Sequence, residues 1–224
     1  MTEIKKMALI TGGTKGLGKR LAYELAYFNY DIWAIYKNDD LSAKSCAKEF
    51  DKQGFFFQYI KHDLDSDHIL DINFLKQYDK IILIHNACSR FNPGQFHKID
   101  LNEFRKQMET SFFSTIKLIQ HLIRPLSRNN SQVVFILSHA LKENVKGLSH
   151  YIIAKKALES LSESLSLEYK NIRFNCFYPN FMQTSLTDDW EKHYVDFYAK
   201  DKQDPKENAK LYVQLLLNLK NENG

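Results

Sequence analysis

Met7-Ala8-Leu9-Ile10-Thr11-Gly12-Gly13-Thr14-Lys15-Gly16-Leu17-Gly18 is the stretch of this chain that decides its fold. A short apolar run ends at Thr11, glycines stand at positions 12, 16 and 18, and an amphipathic, helix-length segment, Leu17–Phe28, begins among them. A strand that turns through glycine into a helix brings backbone N–H groups and the positive end of the helix dipole to one point, where a pyrophosphate can be held. Gly12 and Gly16 let the backbone turn tightly and approach the phosphates, and Gly18 lets the helix pack closely on the strand. Taken alone, the same residues also suit an ordinary strand-to-helix junction.

The pattern repeats outward from this turn. Apolar runs at Met7–Thr11, Ile32–Tyr36, Phe55–Ile60, Lys80–His85, Val133–Leu137 and Arg173–Tyr178 read as strands. Helix-length segments at Leu17–Phe28, Leu41–Gln53, Ser66–Gln77, Leu101–Leu126, Ser149–Tyr169 and Pro205–Leu219 separate or follow them. Runs such as Ile81-Ile82-Leu83-Ile84 are apolar at every position, as burial on both faces of a parallel sheet requires. The expected fold is α/β: a Rossmann-type, doubly wound parallel sheet of about six strands, with helices on both faces. Residues 1–224 read as one dinucleotide-binding and catalytic domain, in which the polar and aromatic stretch 180–204 is an excursion suited to a substrate lid.

Composition excludes several other classes. The net charge of +4 is spread among acidic residues without a basic stripe, so no nucleic-acid partner is expected. Three cysteines, Cys46, Cys88 and Cys176, lie far apart with no regular histidine spacing, which indicates neither disulfides nor a metal site. The first apolar run is too short for a signal segment or a membrane span, so a soluble cytoplasmic protein is expected.

A second constellation supplies chemistry. Tyr151 and Lys155 lie one helical turn apart on one face, and Ser138 ends the apolar strand Val133–Leu137 at the edge where such sheets bind ligands. A phenol is a poor acid or base near neutrality until a cation favours its phenolate, and Lys155 is placed to be that cation. Each feature alone is common on solvated faces and in turns; their coincidence with the glycine turn points to a site.

With these residues in view, the chain resembles the short-chain dehydrogenase/reductase family, and within it the reductases of β-ketoacyl groups on acyl-carrier protein. Thr11, Gly12, Gly16 and Gly18 match its T-G-x-x-x-G-x-G turn, and Tyr151 and Lys155 match its Y-x-x-x-K. Asp63, His85-Asn86-Ala87, Ser138, Pro179 and Thr184 fall in the family's order, over residues 5 to about 185. The resemblance implies that Tyr151 donates a proton to a carbonyl, Ser138 polarises it, and Lys155 holds the nicotinamide ribose and lowers the tyrosine pKa. It further implies a cofactor surface of Thr11, Gly12, Thr14, Lys15, Gly16, Leu17, Gly18, Lys37, Asp63, Leu64, Asn86, Ala87, Pro179 and Thr184, with Asp63 at the adenine edge.

At the end of the second strand, Ile35-Tyr36-Lys37 stands where NAD-preferring members carry an acidic residue. Lys37 and Lys15 can both reach a 2′-phosphate, so NADP(H) is expected over NAD(H), the alternative being that Asp39 or Asp40 folds back to the ribose. Several positions depart from the family. Ser111 stands in place of the asparagine that completes a catalytic tetrad, and Cys88 and Asn180 stand in place of glycines. No seventh strand-like run follows Pro205–Leu219, which leaves Leu101–Leu126 and Ser149–Tyr169 to pack against a second copy, so a homodimer is expected.

The expected reaction is NADPH-dependent reduction of a ketone, with a β-ketoacyl thioester as substrate. A small free ketone, sugar or other secondary alcohol is the second reading, and a catalytically impaired cofactor-binding regulator or scaffold the third. Arg124, Arg128 and Lys170 offer positive charge to an acidic carrier, but scattered basic residues at helix ends are commonly only solvated.

Overall fold

The computed structural model describes residues 4–128, 131–143 and 145–218. Its sheet contains β1 (Lys6–Thr11), β2 (Asp31–Tyr36), β3 (Phe57–Lys61), β4 (Lys80–His85), β5 (Gln132–Ile136) and β6 (Arg173–Phe177). Their order is β3-β2-β1-β4-β5-β6, and every pair is parallel. Strand order reverses between β1 and β4, which opens a crevice at their carboxyl ends, the usual ligand position in such sheets.

The helices are α1 (Gly16–Tyr27), α2 (Asp40–Lys52), α3 (Leu101–Gln107), α4 (Ser114–Arg128), α5 (Ala140–Glu143), α6 (Ser149–Glu168), α7 (Lys192–Tyr198) and α8 (Pro205–Asn218). Alternation along β1 divides the core. Ala8 and Ile10 face a layer made by Leu21 and Leu25 of α1, Phe50 of α2 and Val213 of α8. Met7 and Leu9 face the opposite layer, with Leu118, Leu122 and Leu126 of α4 and Leu158 of α6. A side chain such as Leu122 is fully buried, and burying one contributes about 1.5–3 kcal/mol. A third, smaller cluster of Phe91, Leu148, Tyr151 and Trp190 caps the carboxyl edge of the sheet.

Two expected helices are corrected. Ser66–Gln77 forms no α-helix; only a 3₁₀ turn at Asn73–Gln77 is present before β4. Short polar side chains take the local backbone groups a helix would use. Asp63 accepts from the Asp65 N–H at 3.1 Å, Ser66 Oγ donates to the Asp63 carbonyl at 2.7 Å, and Asp71 accepts from the Asn73 N–H at 2.9 Å. Leu101–Leu126 is likewise not one regular helix, because a π-helical turn, Met108–Phe113, separates α3 from α4. There the Ser114 hydroxyl donates to the Thr110 carbonyl and the Thr115 hydroxyl to the Ser111 carbonyl at 2.6 Å, so side chains compete for oxygens of the regular ladder. The last helix agrees with expectation as far as residue 218; Leu219 lies outside the described residues. No described helix is long and apolar enough to cross a membrane.

Candidate active site

The glycine turn is built as a phosphate cradle. Gly12 and Gly16 have φ of 64° and 55°, a region side chains disfavour. At Gly18 the constraint is space, since a Cβ would lie 2.4 Å from the Gly12 carbonyl oxygen and 2.6 Å from Asn86 Nδ2. Lys15 precedes α1 in extended backbone, no side chain caps the helix and no acidic residue stands in its first turn. The first N–H groups of α1 therefore lack a side-chain acceptor, as an anion site needs. Thr11 fastens this turn to β4, its hydroxyl accepting from the Asn86 and Ala87 N–H groups at 3.0 Å each. Asn86 Nδ2 donates to the Thr11 and Gly12 carbonyls at 3.1 and 3.2 Å.

Ser138, Tyr151 and Lys155 converge on the same cavity of about 1000 Å³. Leu137 N–H donates to the Phe177 carbonyl at 2.8 Å and His139 N–H to the Pro179 carbonyl at 2.9 Å, which holds Ser138 in an extended backbone beyond β5. α6 carries Tyr151 and Lys155 one turn apart, and the Ser138 hydroxyl accepts from the Ala140 N–H at 3.2 Å. Burial, with the Cys88 thiol second, pushes the Tyr151 pKa up, while Ser138 pulls it the other way. A phenol is already protonated near neutrality at its ordinary pKa of about 10, and a raised value keeps the form that can donate to a carbonyl.

Lys155 is buried on the same helix as Tyr151. Its Nζ donates to the Ile136 carbonyl at 2.7 Å and stands 5.8 Å from the centroid of the Tyr151 ring. Burial lowers its pKa.

Of the expected cofactor residues, Gly12, Thr14, Lys15, Gly16, Leu17, Lys37, Asp63, Leu64, Asn86, Ala87, Pro179 and Thr184 line the cavity with Ser138, Tyr151 and Lys155. Thr11, Gly18 and Ser111 stand behind the wall. Thr11 and Ser111 are fully buried, and the Ser111 hydroxyl points at Cys88 Sγ, 3.9 Å away. Cys88 in turn lies 3.6 Å from Gln107 Oε1, so the two departures at 88 and 111 touch each other.

The end near β2 is rich in charge. Lys37 Nζ pairs with Asp63 at 3.0 Å and Asp65 at 3.2 Å, and Lys15 pairs with Asp39 at 3.0 Å. Asp39 caps α2, accepting from the Ser42 N–H at 3.0 Å and its hydroxyl at 2.8 Å, and these bonds with Lys15 bring its pKa down to about 2. Asp40 is held by Tyr36 at 2.9 Å and Lys61 at 3.0 Å. Behind the crevice His85 is fully buried, its Nε2 2.8 Å from Thr115 Oγ1 and its Nδ1 3.4 Å from Thr11 Oγ1. Burial and then the Lys155 charge bring its pKa down to about 3, against a weaker opposing effect of the Ser111 backbone.

Sequence reasoning passed over Phe91 and did not single out Trp190, both of which line the cavity. No sequence signal marks Phe91, because its place depends on the loop after β4 meeting α6. Trp190 falls within the aromatic excursion already noted at 180–204. Among the described residues no cluster of three or more His, Cys, Asp or Glu side chains could hold a metal.

The family model of the short chain dehydrogenases matches residues 6–195. A 3-oxoacyl-(acyl-carrier-protein) reductase FabG of Chlamydia muridarum (strain MoPn / Nigg) is 26% identical over 193 residues, covering 82% of this chain and 77% of that protein. A tropinone reductase homolog of Arabidopsis thaliana is 29% identical over 202 residues, covering 82% and 72% respectively. Among solved structures, the acetoin dehydrogenase from Enterobacter cloacae superposes with a TM-score of 0.78 at 22% identity, covering 96% of this chain and 89% of that one, a likeness of fold.

Proposed function

Because the chain belongs to the short chain dehydrogenase family, we propose that it reduces a ketone to a secondary alcohol with NADPH, a β-ketoacyl thioester being the favoured substrate. The observation that carries this reading is the meeting of Ser138, Tyr151 and Lys155 on the cavity that also receives the glycine turn. A cofactor-binding scaffold has no physical need of a hydroxyl and a phenol converging there. The names of the relatives, a 3-oxoacyl-(acyl-carrier-protein) reductase and a tropinone reductase homolog, support carbonyl reduction.

The residues present fit a dinucleotide: the uncapped start of α1 accepts the pyrophosphate, and the cavity runs from there to Tyr151. When bound, the nicotinamide supplies the hydride to the carbonyl carbon. Tyr151 donates its proton to the carbonyl oxygen, and Ser138 donates a hydrogen bond to the same atom. Lys155, its Nζ 5.8 Å from the Tyr151 ring centroid, would hold the nicotinamide ribose and as a cation favour the phenolate left behind. NADPH is favoured over NADH because Lys15 and Lys37 flank the β2 end of the cavity, while the Asp39 and Asp40 carboxylates are held by α2, Tyr36 and lysines.

We take residues 1–224 to act as one catalytic domain with 180–204 as its substrate lid. The exposed Phe113, Ile153 and Leu167 on the π turn and α6 favour pairing with a second copy; light scattering should return twice the 26.3 kDa chain mass.

The test is NADPH and NADH consumption against a β-ketoacyl thioester, small ketones, quinones and keto sugars. Tyr151→Phe should abolish turnover with NADPH binding retained, and unchanged turnover would sink the mechanism. The apolar cluster beside Tyr151 favours, as a second reading, a free apolar ketone, which the same panel separates. Cofactor binding without any turnover would make the scaffold reading the leader.

A further inference from the structure

Phe91 stands in the loop after β4, where the chain meets α6. Its ring stacks on that of Tyr151 with centroids 4.5 Å apart and planes 18° from parallel. Trp190 meets Phe91 edge-on at 5.4 Å, and its indole N–H donates to the Phe91 carbonyl at 2.6 Å in a buried contact. Phe181 and Tyr198 extend this wall, 5.8 and 5.5 Å from the Trp190 ring, and the Tyr198 hydroxyl donates to the Lys146 carbonyl at 2.6 Å. All four rings line the cavity that Tyr151 faces, with Val145 and Leu148.

Polar groups at this rim are engaged with one another: Arg90 pairs with Asp189 at 2.8 Å, and His139 is hydrogen-bonded to Glu143 at 3.0 Å. The wall beside Tyr151 therefore presents ring faces and edges, and hydrogen bonds to backbone carbonyls fix two of them, Trp190 and Tyr198. Aromatic pairs in offset or edge-on geometry gain beyond the area they bury, and a fixed ring loses little freedom on meeting another.

We propose that Phe91 and Trp190 are specificity-determining residues that select ketones bearing a planar aromatic substituent on the carbonyl carbon. This rests on the ketone-reducing reading above. A cyclohexyl group of similar size fills the same space without ring-to-ring geometry, and a methyl group leaves it empty.

The experiment compares ethyl benzoylacetate, its cyclohexyl analogue and ethyl acetoacetate by kcat/KM in the wild type, Trp190→Leu and Phe91→Leu. Intrinsic reactivity cancels between proteins. The benzoyl-to-cyclohexyl ratio should fall by roughly three- to tenfold in each variant. An unchanged ratio, with both substrates slowed alike, would show a merely structural role and overturn the proposal.

Binding supplies a readout that needs no turnover. The chain has two tryptophans, and Trp33 stacks on Phe74 on β2, so Trp33→Phe leaves Trp190 as the sole tryptophan reporter. With NADP⁺ present, acetophenone should quench that emission and bind at least three times more tightly than cyclohexyl methyl ketone. Equal affinity overturns the specificity, whereas tighter acetophenone binding without turnover of any ketone would fail the reaction proposed above and leave the aromatic site standing.

Discussion

Replacing Lys37 by alanine should weaken NADPH far more than NADH, and the size of the effect follows from its surroundings. The side chain is 55% exposed and its ammonium already bonds Asp63 and Asp65, so a 2′-phosphate must draw it from carboxylates rather than from water alone. A hydrogen bond to a charged group contributes about 1.5–3 kcal/mol, whereas exposed ion pairs of the kind released are worth about 0–1 kcal/mol each. The net contribution is roughly 1–2 kcal/mol, a 5- to 30-fold change in the NADPH-to-NADH affinity ratio. Fluorescence titration of both cofactors at low and high salt measures it, and the selectivity of the wild type should shrink as salt screens the contact. A variant that loses NADPH and NADH affinity equally would refute the assignment, because NADH lacks the 2′-phosphate that Lys37 is assigned to recognise. Should selectivity persist in Lys37→Ala and vanish in Lys15→Ala, the phosphate sits nearer α1.

Stability should fall between pH 7 and pH 5. His85 has a folded-state pKa of about 3, below the unfolded value of about 6.5, so the unfolded chain binds the extra proton in this window and folding weakens as pH falls. The expected loss is about 2 kcal/mol at pH 5 relative to pH 8, and burial moves His62 and His150 in the same direction. Urea midpoints at the two pH values test it, and a His85→Gln variant with an undiminished slope would exclude His85 as the source. Depressed carboxylates such as Asp39 act lower, their contribution being lost only as pH falls below about 4. Gly18→Ala should destabilise the fold by at least about 1–3 kcal/mol and remove cofactor binding, since the new Cβ meets the Gly12 carbonyl; a melting temperature still raised by NADPH would contradict this.

The glycine turn, the parallel strands and the pairing of Tyr151 with Lys155 were legible in the sequence because each is local. An apolar run, a glycine whose φ no other residue adopts cheaply, and a one-turn spacing need no knowledge of distant residues. The helix expected at Ser66–Gln77 was misread for a local reason also, since its spaced apolar residues were outweighed by Asp63, Ser66 and Asp71 capturing nearby backbone groups.

What only the tertiary structure decided depends on elements that meet across the sheet. Cys88 and Ser111 look like separate departures in the sequence, yet the loop after β4 and the π turn bring them within 3.9 Å. Lys37 reads in the sequence only as a cation within reach of a 2′-phosphate, and the loop after β3 delivers Asp63 and Asp65 to it. The upward push on the Tyr151 pKa comes from burial beneath Phe91 and beside Cys88, and burial is a sum over neighbours that one helix cannot specify. Periodicity and backbone preference thus belong to the chain, whereas contact, desolvation and charge pairing belong to the fold.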